Sequence, residues 1–127
     1  MREKHLYEYA VIRIVPKVER EEFLNAGIIL FCKKQGFIKM LYKLDINKLQ
    51  LFSTDLEHEQ IEINLQSFEK ISRGKKTENR ISAEDPAERF RWLTAVRSSC
   101  LQTSRPHPGI SQDLDKTLER LFEELVL

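Results

Sequence analysis

Cysteine, glycine and proline are all scarce in this chain. Its 127 residues include two cysteines, four glycines and four prolines. Two cysteines make neither a disulfide framework nor a zinc-ligand pattern, which excludes the small folds that depend on such links. The few glycines and prolines fall where the apolar periodicity changes, so they mark the ends of helices and strands. The sequence predicts a single domain over residues 1–127, with no cofactor and no metal site.

An excess of one charge and long apolar runs are also lacking. Lysine and arginine number 21 and aspartate and glutamate 20, which gives a formal net charge of +1. This balance argues against a protein that binds nucleic acid through bulk positive charge. No apolar run approaches the roughly 18 residues that a membrane span needs, and no signal peptide is expected. We therefore expect a cytoplasmic protein that binds neither a membrane nor nucleic acid.

Three segments have the pattern of β-strands. Tyr7–Val15 is rich in aromatic and β-branched residues, and Ile28–Lys33 is mostly a continuous apolar run. Phe37–Leu44 alternates apolar and polar residues after a turn at Gly36, which predicts an antiparallel hairpin with the preceding strand. Ser98–Ser104 is predicted to add a further strand. The short connections favour antiparallel neighbours, because a parallel pair needs a crossover of a dozen or more residues.

Helical spacing of apolar residues predicts the other elements. Helices are expected after Asp45, after Asp55, and after Ser82 or Asp85. The clearest helix is the last, which begins after Ser111 or Asp113. Its apolar stripe consists of Leu114, Leu118, Leu121, Phe122 and Leu125. The prediction is an α+β fold: an antiparallel sheet of three to four strands packed by helices, with a C-terminal amphipathic helix docked on the core.

Two polar connections are expected to lie outside the sheet. Val18–Asn25 is polar and compatible with a short helix. Arg105–Gly109 is predicted to lack regular structure, because prolines at alternate positions remove backbone donors. Residues 74–81 are predicted to form a charged loop, and RNA contact through Arg73–Arg80 is a weaker alternative function.

Candidate functional residues fall in two polar blocks, Arg13–Asn25 and Arg97–Gly109, which are expected to form one surface. Arg13 lies in an apolar strand, where a guanidinium is costly unless it reaches a carboxylate, a ligand or solvent. Arginines bracketed by hydroxyl groups suit anion binding. The predicted anion-binding surface consists of Arg13, Arg20, Glu22, Asn25, Arg97, Ser98, Thr103, Ser104 and His107. A structural ion pair and ordinary turn chemistry remain the alternative interpretations, and no residue is assigned as catalytic, since no G-x-S-x-G motif accompanies His107.

Two blocks of the sequence carry a family resemblance. Y-E-Y-A-V-I-R-I-V-P-K-V-E-R-E-E-F at residues 7–23 resembles the opening of a bacterial family of small proteins described as a domain of unknown function. R-F-R-W-L-T-A-V-R-S at residues 89–98 is similar to its second signature. The chain departs from the family pattern at Val96, where a proline is common, and at Arg105-Pro106, where Pro-Val is common. Such proteins are commonly encoded beside HipA-like kinases, so the resemblance implies a protein partner of that kind.

Two functions of different classes follow. The first is a non-catalytic accessory or regulatory interaction module, with a HipA-like kinase as the implied partner. The second is a phosphate- or nucleotide-handling enzyme or sensor. In that alternative the arginines hold a small anionic ligand, and Glu22 or His107 acts as acid or base.

Overall fold

A computed structural model describes residues 3–15, 22–52, 58–74, 85–95 and 100–127. The strands are β1 (His5–Ile14), β2 (Leu24–Cys32), β3 (Phe37–Tyr42), β4 (Leu101–Thr103) and β5 (His107–Ser111). The helices are α1 (Ile46–Phe52), α2 (His58–Arg73), α3 (Pro86–Thr94) and α4 (Leu114–Leu125). The predicted α+β class is confirmed.

The strands form one antiparallel sheet. Its order is β3-β2-β1-β4, and β5 also pairs with β1. β4 pairs with the C-terminal part of β1 and β5 with its N-terminal part, so the two short strands share one position at the edge. Beyond β1, no other described strand pairs with β5. The two ends of β1 are therefore flanked by different short strands.

Helices cover both faces of the sheet. Alternate residues of a strand point to opposite faces, and in β1 and β2 both sets include buried apolar side chains. On one face, here called the helix face, Ala10 and Ile12 pack in a cluster with apolar residues of α1, α2 and α3. On the other, the α4 face, Val11, Ile28 and Leu30 pack against α4. The predicted docking of the last helix on the core is confirmed.

Aspartates begin three of these helices. Asp45, Asp85 and Asp113 each accept a hydrogen bond from the backbone N–H three residues later, at 3.1, 2.8 and 3.1 Å. Such bonds satisfy donors that the first turn of a helix leaves without a partner. These predicted caps are confirmed, whereas Asp55 and Ser82 lie outside the described residues.

The helix expected over Val18–Asn25 is wrong where the structure describes it. Leu24 and Asn25 belong to β2, which starts before the predicted strand. The register with β1 shifts between Ile12 and Arg13, so that Ala26 is an extra residue on β2. A bulge of this kind breaks the alternation of side chains from which a strand is recognised in a sequence.

The irregular segment expected at Arg105–Gly109 is also wrong, because His107, Pro108 and Gly109 belong to β5. A proline is tolerated on an edge strand where its missing donor faces away from the neighbouring strand. Gly109 lies under the ring of Tyr7, and a Cβ atom there would collide with that ring. The described residues thus form a sheet of five strands where three to four were predicted.

Candidate functional site

The described parts of the two polar blocks, Arg13–Asn25 and Arg97–Gly109, meet at the C-terminal end of β1. Arg13 pairs with Asn25 of β2 and with Gln102 of β4. Paired residues of neighbouring strands place their side chains on the same face, so these three share the α4 face. We call Arg13, Asn25 and Gln102, with Phe23, the arginine end. Of the other predicted residues, Arg20, Arg97 and Ser98 lie outside the described ranges.

An aromatic ring holds the Arg13 side chain. The guanidinium carbon lies 4.1 Å from the centroid of the Phe23 ring, a cation–π contact worth about 0.5–1 kcal/mol at exposed sites. The Nε atom of Arg13 is buried and has no hydrogen-bond partner. Glu22 is exposed and directly precedes this ring in the chain.

Asn25 joins the sheet to the last turn of α4. Its Nδ2 donates a hydrogen bond of 2.9 Å to the carbonyl oxygen of Leu125. The last carbonyls of a helix have no partner within the helix, so this bond satisfies one of them. A cleft of about 330 Å³ opens beside Asn25, and Lys43, Asp45 and Lys48 are among the residues that line it. Asn25 thus already serves the packing of α4.

Ser104 fills the interruption between β4 and β5. Its backbone N–H donates to the carbonyl oxygen of Val11 at 2.8 Å, and its Oγ accepts from the N–H of Val11 at 2.8 Å. The hydroxyl itself donates to the carbonyl oxygen of Arg105 at 3.0 Å. Ser104 is buried, and its hydroxyl replaces a missing rung of the sheet ladder.

Thr103 and His107 lie apart from the arginine end, Thr103 on the opposite face of the sheet and His107 on the α4 face beside Tyr9, four residues before Arg13 in β1. Thr103 pairs with Ile12, which places it on the helix face, and its Oγ1 is buried without a hydrogen-bond partner. His107 pairs with Tyr9 and is exposed, with the two ring centroids 5.3 Å apart. The anion-binding surface stays a prediction, of which the described residues bring Arg13 and Asn25 together.

The opposite end of β1 presents apolar side chains to solvent. Leu6 and Ile110 are cross-strand partners, and they are 69% and 66% exposed. Lys4, Leu6, Lys33 and Lys34 line a hollow of about 550 Å³. We call Leu6 and Ile110, with these three lysines, the lysine patch.

A family model places the chain among known sequences. The model described as "Protein of unknown function (DUF3037)" matches residues 9–126. The chain belongs to this family. No curated protein and no solved structure matches it. The DUF3037 match confirms the domain-of-unknown-function resemblance, while the neighbouring kinase stays a prediction.

Burial disfavours the reactive thiolate form of Cys100 in this DUF3037 protein. Cys32 is buried, and burial raises the pKa of the Cys100 thiol, although a backbone hydrogen bond with Val15 lowers it somewhat. A raised pKa decreases the thiolate fraction at neutral pH, and the thiolate is the nucleophile. No three histidine, cysteine, aspartate or glutamate side chains in the described ranges are arranged to hold a metal ion.

The lysine patch was missed by the sequence interpretation. Leu6 precedes the predicted first strand, and Ile110 follows a segment that was expected to be irregular. The alternation of Leu6 with Tyr7 and Glu8 was the available signal, because it places Leu6 on the same face as exposed Glu8. Only the pairing of β1 with β5 brings Ile110 beside it.

Proposed function

We propose that this DUF3037 protein is a non-catalytic accessory or regulatory interaction module that binds another protein through the lysine patch. The exposed pair of Leu6 and Ile110 carries this proposal. Burying a leucine or isoleucine side chain contributes about 1.5–3 kcal/mol. Scattered exposed apolar residues need no explanation, but adjacent ones rimmed by polar groups mark interaction sites. Here the two side chains are neighbours and lysines surround one of them.

The contacts of the polar groups at the arginine end also support this proposal. Arg13 packs on Phe23, and Asn25 bonds to the α4 carbonyl. These contacts give both side chains a role in stabilising the fold that needs no ligand. The lysine patch has no comparable internal role, since Leu6 and Ile110 lie outside both core clusters.

A kinase similar to HipA-like kinases is the partner we propose, on the basis of the family resemblance. A cytoplasmic location is part of the same proposal. Within the described ranges, no helix has both the length and the apolar character to cross a membrane.

The anion-handling alternative draws support from one atom. The buried Nε of Arg13 lacks a hydrogen-bond partner, and an arginine donor left without one is costly. An anion at the arginine end would satisfy it. Thermal unfolding of the wild type and of Arg13→Ala in increasing inorganic phosphate tests this alternative. A rise in the unfolding temperature of the wild type alone would favour the sensor, and the same dependence on phosphate in both chains would contradict it.

Co-purification from native host cells tests the interaction module. The tagged full chain is compared with Leu6→Ser/Ile110→Ser and with the control Ile46→Ser/Ile63→Ser, whose two isoleucines are also exposed and lie on α1 and α2. We expect the wild type and the control to recover the same partner, and the patch variant to lose it. Recovery by all three chains would overturn the assignment of the surface. Recovery of no protein partner by the wild type would contradict the function itself.

A further inference from the structure

We infer that the lysine patch binds an acidic segment of the partner protein, with an apolar side chain of that segment placed on Leu6 and Ile110. This inference rests on the proposed function and names the chemistry of the partner. It follows from the shape of the surface, its charge and the chemistry of the β5 edge.

The described helices leave Leu6 and Ile110 of the lysine patch exposed. On the helix face, Phe31 of β2 stacks on Phe90 of α3 with ring centroids 5.1 Å apart. A cleft of about 240 Å³ opens beside this stack, and Leu6 and Lys33 help to line it. The same two residues also line the 550 Å³ hollow, so the two depressions adjoin. Together they form one floor beside Leu6, to which Phe31 and Phe90 add apolar side chains on the cleft side.

Three positive charges surround one end of this floor. Lys33 and Lys34 lie on the turn between β2 and β3, where Gly36 has a φ of 59° and its N–H donates to the carbonyl oxygen of Lys33 at 3.2 Å. Lys4 reaches the same hollow from just before β1. No ion pair is found for these lysines among the described residues. Like charges held around one hollow repel each other, and carboxylates of a partner would relieve that repulsion.

The adjoining cleft is lined by charges of both signs. Glu8 lines the adjoining cleft, where Arg91 is already paired with Glu88 at 2.7 Å. The surface is therefore positive at the hollow and close to neutral along the cleft. This asymmetry favours a segment whose carboxylates face Lys33 and Lys34 while its apolar side chain enters the cleft.

The β5 edge favours recognition through side chains. A partner strand added to a sheet edge needs a run of free backbone donors and acceptors. Pro108 in β5 has no backbone N–H, so it interrupts such a run. The proposed segment therefore binds across the face of Leu6 and Ile110 and does not extend the sheet.

Selection from a display library of random peptides tests the proposed partner chemistry. The bait is the full chain, and Leu6→Ser/Ile110→Ser serves for counter-selection. We expect the enriched peptides to combine glutamate or aspartate with a large apolar residue. Enrichment of neutral or basic peptides, no enrichment over the counter-selection, or stronger binding to RNA or to phosphatidylserine vesicles would overturn the inference.

Charge reversal then identifies the contacts. Lys33→Glu/Lys34→Glu is expected to weaken the binding of the enriched peptides and of the co-purified partner at least about tenfold, which is about 1.4 kcal/mol. Lys43→Glu/Lys48→Glu changes the net charge equally at the distant Asn25 cleft, and is expected to leave binding unchanged. Glu8→Gln is expected to strengthen binding. A partner lost by Leu6→Ser/Ile110→Ser but fully retained by Lys33→Glu/Lys34→Glu would overturn the acidic segment and leave the interaction module standing.

Discussion

The two ends of β1 differ in how their side chains are held. At the C-terminal end, Arg13 packs on the Phe23 ring, and the neighbouring Asn25 forms a hydrogen bond with α4. At the N-terminal end, Leu6 is 69% exposed. A sequence draws attention to the first end, because an arginine in an apolar strand is unusual. The structure gives that arginine local contacts and leaves the ordinary leucine without them. An unusual residue can therefore have a purely structural role, while a common residue becomes informative through its exposure and its neighbours.

The largest expected effect concerns Ser104, beside the arginine end. Ser104→Ala removes the acceptor of the buried Val11 N–H, and an unsatisfied buried donor costs about 1–3 kcal/mol. We expect the free energy of unfolding in denaturant to fall by that amount. Thr103→Val is the matched control, because the Thr103 hydroxyl has no partner, and its removal should be neutral or stabilising. Equal losses in the two variants would contradict the structural role of Ser104.

A smaller effect is expected from the contact between Arg13 and Phe23. A double-mutant cycle with Arg13→Ala and Phe23→Ala should give a coupling energy of about 0.5–1 kcal/mol in the free energy of unfolding. A coupling energy of this size would show that the contact between Arg13 and Phe23 stabilises the fold. Strict additivity of the two substitutions would mean that Arg13 is kept for another reason, and would favour the anion site.

Local patterns were sufficient to predict most of the fold. The hairpin of β2 and β3 and the amphipathic α4 follow from periodicity, because each buries one face along its own length. Leu24 and Asn25 were misread because the bulge at Ala26 interrupts the alternation. The polarity of Asn25 serves a carbonyl 100 residues away at Leu125, and no local pattern shows such a contact.

The candidate site was less predictable than the fold. Arg13 was identified from its apolar surroundings, but its packing on Phe23 depends on how the connection enters β2. β5 was missed because Pro108 and Gly109 are typical of loops, although an edge position and the ring of Tyr7 accommodate both. Without β5 the pairing of Leu6 with Ile110 could not be foreseen.

The smallest effect should appear at high pH and at neither end of β1, at the partly buried Tyr42 that packs against the core. Burial raises the pKa of the Tyr42 phenol above its usual 10, and the nearby carboxylates of Glu62 and Glu69 raise it further, while Arg73 lowers it. The fold therefore favours the neutral phenol. This contribution to stability is fully present below about pH 10, the unfolded pKa, and is lost as the pH rises through the folded pKa.

Denaturant unfolding at neutral pH and above about pH 10 measures this contribution. The wild type should lose more stability than Tyr42→Phe, which has no phenol to ionise. An identical loss in both chains would show that Tyr42 does not contribute to the pH dependence.

The most direct test of the central claim compares one double variant from each end of β1. Arg13→Ala/Asn25→Ala and Leu6→Ser/Ile110→Ser are measured side by side for thermal unfolding and for recovery of the co-purified partner. We expect the first variant to unfold at a lower temperature and still bind the partner, and the second to keep its unfolding temperature and lose the partner. The reverse pattern, with binding lost at the arginine end and stability lost at the lysine patch, would contradict the central claim.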